Sequence, residues 1–150
     1  MEYGFEVIST DISDIALNEV KKFNPNIIKV DMRENLPFKD YEFDLVFANL
    51  SIHYFDDSTT KKLIYEIKRV WKNGGLFIGS VNGTEGINAI KDTAVVLEEH
   101  FYLNKNKYIR LFDKEDLLKY LSDFNIEKIE KRETVRFEHK KSYYIFIVRK

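Results

Sequence analysis

Three polar residues close short β-rich runs and are the first candidates for chemistry. Asp11 follows FEVIST, Asp31 follows IIKV, and Asn49 ends FDLVFAN. In open α/β sheets a ligand binds beyond the carboxyl ends of the strands, where these side chains would stand. A carboxylate there can accept hydrogen bonds from both hydroxyls of a ribose, a bidentate arrangement that water matches poorly. An acid at the next strand end can accept from an exocyclic amine while a neighbouring backbone N–H donates to a ring nitrogen. Together such groups fit an adenosine. A single Asp at a strand end is also an ordinary turn or helix-cap residue. Asp44, inside a strand start, is expected to pair or cap locally. What sets the three residues apart is their recurrence at successive strand ends.

The elements that must position them alternate between strand and helix patterns, as parallel βαβ units do. A strand is expected over Phe5–Thr10, then a helix from Asp14 to about Phe23 capped by Ser13, with Ile15, Leu17 and Val20 apolar. Asn24-Pro25-Asn26 breaks it, and a second strand runs from Ile27 to Val30. Phe43–Asn49 is nearly all apolar, which predicts a strand buried on both faces. Ser58 or Thr59 starts the next helix, whose Leu63, Ile67, Val70 and Trp71 make one stripe. Gly74-Gly75 is expected to end it, because glycine reaches left-handed geometry without a Cβ penalty. Leu76–Val81 follows as a fourth strand.

The second half is less regular. A helix is expected between Ile87 and His100, burying Ala89, Ile90, Ala94, Val95 and Leu97. Asp113 caps another, with Leu117, Leu118, Leu121 and Phe124 toward a core. Ile126–Phe137 reads as a polar edge strand, and the continuous apolar run Tyr143–Val148 as a strand lying between two others. The expected architecture is α/β: a mostly parallel open sheet with helices on both faces and a C-terminal antiparallel strand, in one domain over residues 1–150.

Composition narrows the function. Lys+Arg 24 nearly balances Asp+Glu 25, so nothing electrostatic draws the chain to nucleic acid or an anionic membrane. With no cysteine there are no disulfides, thiolate metal sites or cysteine nucleophiles. No apolar run approaches the roughly 20 residues of a membrane span, and the opening MEYGFEV lacks the regions of a signal peptide. A soluble, cytoplasmic protein is the expectation.

In order and spacing, VISTDIS, IIKVDM, FDLVFANLSIHYF and WKNGGLF resemble class I S-adenosylmethionine-dependent methyltransferases, whose fold is Rossmann-like. The likeness is close over residues 4–82 and looser beyond. The branch it resembles acts on small molecules and includes tellurite-resistance-type enzymes. It implies S-adenosylmethionine as cofactor and a small-molecule methyl acceptor. It also implies that Asp11 binds the ribose, Ile12 packs on the adenine, Asp31 takes the adenine amine and the Met32 N–H meets the ring. Asn49 and Leu50 would pass near the methionine and sulfonium end, and Ser51, His53 and Tyr54 would begin a loop over the acceptor. An imidazole at His53 could act as a general base; a packing or loop-orienting His is the alternative. Tyr54, Phe55, Phe101, Tyr102, Tyr108 and Phe112 could wall an acceptor pocket, or fill the core.

Members of that family carry an earlier strand ending in a glycine-rich turn, which lets backbone amides approach the cofactor closely. Gly4, Gly74, Gly75, Gly79, Gly83 and Gly86 form no such turn. Absence of that first strand predicts weakened cofactor binding. It also predicts unpaired edges on Phe5–Thr10 and Phe43–Asn49, to be met by direct pairing or by a second copy in a homodimer. A catalytically inactive remnant, used for binding or oligomerisation, is the alternative function.

Overall fold

A computed structural model describes residues 4–136 and 139–150, and the chain divides into two compact units, residues 1–37 and 38–150. In the first unit, β1 (Ser9–Asp11) pairs in parallel with β2 (Ile27–Lys29). Between them α1 (Asp14–Val20) is capped as expected: Ser13 Oγ accepts from the Ala16 N–H. Leu17 and Val30 are buried there. So is Asn24, whose amide donates to the Val7 carbonyl (3.0 Å) and Ser9 Oγ (2.9 Å), so the helix-breaking residue also ties the loop to β1. The strand expected over Phe5–Thr10 is shorter, and its N-terminal half is irregular.

The second unit is built on a four-stranded sheet in the order β3-β4-β9-β8. Its members are β3 (Phe43–Asn49), β4 (Trp71–Asn82), β8 (Asn125–Arg136) and β9 (His139–Arg149). β3 is parallel to β4, whereas β9 is antiparallel to both β4 and β8. The sheet is therefore mixed: β3 and β4 keep the expected parallel pairing and the C-terminal strand is antiparallel as expected, but parallel pairs do not predominate. β8 lies at the edge and β9 between two strands, as polar and apolar runs require. The expectation for Phe137 falls outside the described residues. β3 is an edge too, with Phe47 67% exposed, so it is not buried on both faces as its apolar run suggests. Asp44 pairs not with a sequence neighbour but with Lys72 of the adjacent β4, at 2.7 Å.

Helix α2 (Asp57–Val70) starts earlier than predicted because Asp56, not Ser58 or Thr59, accepts from the Thr59 N–H. It ends before the glycines, and Trp71 already belongs to β4. Gly74 takes its left-handed conformation (φ 77°) inside that strand. The helix predicted over 87–100 is replaced by a 3₁₀ turn (Thr84–Ala89) and a three-stranded antiparallel meander. Its strands are β5 (Ala94–Glu98), β6 (Phe101–Asn104) and β7 (Lys107–Arg110). Two effects decide this: β-branched Val95-Val96 favours a strand, and Lys105-Asn106 make a tight turn with positive φ. Val95 and Leu97 are exposed instead of buried. Helix α3 (Lys114–Tyr120) has the predicted Asp113 cap, as a full capping box with Asp116. Leu117, Leu121 and Phe124 are buried, but Leu118 is exposed.

The core of this unit gathers Trp71, Phe77, Phe112 and Phe146, each 0–1% exposed. Trp71 and Phe77 meet edge to face at 6.1 Å, and Phe77 and Phe146 at 5.1 Å. Gly79 stands opposite Phe146 in the β4–β9 register, and a Cβ there would overlap the ring. Gly79→Ala should therefore destabilise the fold by about 1–3 kcal/mol through overpacking. Urea denaturation that finds Gly79→Ala as stable as the parent would contradict this.

Candidate functional site

In the first unit, Asp11 stands at the end of β1 and is exposed. Its Oδ1 accepts from the Ser13 N–H at 2.8 Å, the turn role any strand-end Asp can fill; no partner is recorded for Oδ2 among the described residues. Ile12 beside it is 53% exposed, an apolar surface open to a flat ring. Asp31 is more occupied. Its Oδ1 accepts from the Arg33 backbone N–H (3.0 Å) and Nε (2.9 Å), and its Oδ2 from Nε (3.0 Å) and Nη2 (2.5 Å). Hydrogen bonds from the Arg33 side chain and backbone hold this carboxyl down at about 2. Met32 between them is half-buried.

In the second unit, Asn49 ends β3, and Leu50 follows with φ 51°, a conformation non-glycine residues rarely hold. The Leu50 N–H donates to the Ser80 carbonyl (3.0 Å) and to Ser80 Oγ (3.2 Å), and Ser80 Oγ lies 2.6 Å from Asn49 Oδ1. Two residues further along β4, the Asn82 amide nitrogen lies 3.3 Å from His53 Nε2. Sequence reasoning missed both Ser80 and Asn82. The available signal was their spacing: polar residues two apart, on one face, at the end of the apolar run LFIGSVN.

His53 is only 4% exposed. With Asn82 donating to Nε2, the ring proton sits at Nδ1, which is buried and has no hydrogen-bond partner among the described residues. Burial pushes its pKa down to about 4, so the imidazole is neutral and a weak base at neutral pH. Its carbonyl accepts from the Arg110 N–H at 2.8 Å, and its ring lies 4.3 Å from the Tyr54 ring, which is 47% exposed.

Arg110 is itself buried. Nε donates to the Phe55 carbonyl (2.8 Å), Nη1 to the Glu99 carbonyl (3.3 Å) and Nη2 to the Glu98 carboxylate (2.6 Å), with the Phe101 ring 5.0 Å away. Of the aromatic residues considered for a pocket wall, Phe101 and Phe112 lie in the core, whereas Tyr54 and Tyr108 are exposed.

The matching family model is the methyltransferase domain, over residues 1–79, and the chain belongs to that family. An uncharacterized methyltransferase of Synechocystis is 35% identical over 75 residues, 49% of this chain and 35% of that protein. The mitochondrial arginine-hydroxylase NDUFAF5 of Homo sapiens is 31% identical over 83 residues, 53% of this chain and 24% of that one. The chain spans between about a quarter and two-fifths of the length of the curated relatives it matches. Its fold is shared with an S-adenosylmethionine-dependent methyltransferase from Methanosarcina mazei. The TM-score is 0.82 at 18% identity, over 99% of this chain and 83% of the other. That likeness makes the fold Rossmann-like. No helix among the described residues is long and apolar enough to cross a membrane.

The displaced pKa of His53 has a measurable consequence. Its unfolded-state value lies near 6.5 and its folded value near 4. Between these the unfolded chain binds more protons, so stability is complete above about pH 6.5 and declines as pH falls toward 4. Its share of the loss between pH 7 and pH 5 is roughly 2 kcal/mol. Urea denaturation at both pH values should show a drop smaller by about that amount in His53→Gln. An equal drop in both proteins would refute the assignment.

Proposed function

We propose that the chain is the methyl-transferring part of an S-adenosylmethionine-dependent methyltransferase acting on a small molecule, in the branch that resembles tellurite-resistance-type enzymes. The observation that carries this is the family match over residues 1–79, which takes in the strand ends at Asp11, Asp31 and Asn49. The cofactor is S-adenosylmethionine. Bound, it supplies a methyl group on a sulfonium, already reactive toward an acceptor lone pair in line with the C–S bond.

The chain's own work is then positioning. Asp11 has one carboxylate oxygen turned to the backbone and the other available to a ribose hydroxyl. Ile12 offers an apolar face to the adenine. Asp31, with the Met32 N–H, reads the adenine edge once Arg33 releases one of the carboxylate's lone pairs. In the second unit, Asn49 and Leu50 serve the methionine end, and the loop from Ser51 through His53 to Tyr54 serves the acceptor. His53, neutral at pH 7, orients this loop without taking a proton. The open edge of β3, with Leu45 and Phe47 exposed, is the strand we assign to pairing with a second copy.

Calorimetry of the chain with S-adenosylhomocysteine tests the cofactor site. Saturable binding is expected, weakened about tenfold or more by Asp11→Ala, as loss of a hydrogen bond to a charged group requires. Binding indifferent to Asp11→Ala would refute the ribose assignment, and no binding at millimolar ligand would refute the function.

A further inference from the structure

The Asn49–Ser80 contact decides which atoms of Asn49 a ligand can meet. Ser80 is buried, and its hydroxyl has one proton to give. Its separation of 2.6 Å from Asn49 Oδ1 is that of an O–H···O bond and is too short for an ordinary N–H···O bond. The Leu50 N–H donates into the same hydroxyl oxygen, leaving the hydroxyl proton for Asn49. The amide is thereby fixed with its carbonyl oxygen turned to Ser80. Asn49 is exposed, and its NH₂ group makes no hydrogen bond among the described residues, so this end of the amide is the one left to a ligand. The Leu50 backbone, left-handed at φ 51°, is held by two hydrogen bonds to Ser80 and cannot relax without breaking them.

We propose that Ser80 is a positioning residue that makes Asn49 a donor-only contact, selecting a ligand oxygen such as a carboxylate and disfavouring an ammonium group. Without Ser80 the amide could turn its oxygen outward and accept from an amine; with Ser80 in place that face is used. The oxygen belongs either to the cofactor's carboxylate or to the methyl acceptor. The inference rests on the cofactor reading above and adds the polarity of the group recognised at the end of β3.

The side-chain amide of Asn49, followed by NMR, reports directly. One arm titrates S-adenosylhomocysteine against its decarboxylated analogue, which keeps the ammonium group. The other, at saturating S-adenosylhomocysteine, titrates benzoate against benzylamine. A preference of about tenfold for the carboxylate-bearing ligand is expected in one arm, and the arm identifies the source of the oxygen. Asn49→Leu and Ser80→Ala should abolish the preference, and Ser80→Thr, which keeps the hydroxyl, should restore it. Equal affinities in both arms, or a preference that survives Ser80→Ala, would overturn the inference while leaving the cofactor reading intact. Failure of S-adenosylhomocysteine to bind at all would overturn both.

Discussion

Backbone hydrogen bonding on both sides of β4 is the constraint that residues 38–150 are arranged around. A central strand must find partners for its N–H and C=O groups in both directions. β3 supplies them in parallel on one side and β9 in antiparallel on the other. Because β9 crosses against β4, the Phe146 ring falls on Gly79 and no side chain can stand there. The pairing also brings Ser80 opposite Asn49, so the packing that builds the core sets the polar contact at the strand end. Core and candidate site are products of one register. A slip of one residue would turn Phe77 outward and Ser80 to the other face.

Much of this was legible in the sequence because it is written locally. Ser13 and Asp113 announce their helices by side-chain capping, and Phe43–Asn49 and the central position of Tyr143–Val148 follow from apolar runs. The misreadings arise where tertiary pairing outweighs local pattern. Ala94–Glu98 could pass for a helix by periodicity, yet it becomes a strand because Phe101–Asn104 is there to pair with it. Trp71 completes a helical stripe by spacing but is drawn into β4 opposite Phe43. At the candidate site, Asp11, Asp31 and Asn49 could be picked out by their place after strands. The grip of Arg33 on Asp31 and of Ser80 on Asn49 could not, since each depends on where one side chain turns in three dimensions.

The two units carry different kinds of polar chemistry. Residues 1–37 offer charge near the surface: Asp11 is half engaged, and Asp31 is saturated by a neighbouring cation. At the candidate site, residues 38–150 offer neutral groups, namely the buried Ser80 hydroxyl, the amides of Asn49 and Asn82, and an imidazole whose charging is suppressed by burial. Neutral dipoles fixed by a sheet need little reorganisation when a ligand arrives, whereas exposed ion pairs trade partners readily. This division suits a fold in which recognition and orientation are separate tasks.

Arg110 has a further consequence. One guanidinium joins the Phe55 carbonyl in the loop after β3 to the Glu98 carboxylate and Glu99 carbonyl of the meander, while its own N–H holds the His53 carbonyl. Parting the two segments would break the hydrogen bonds this buried guanidinium makes between them, so they are coupled through one side chain.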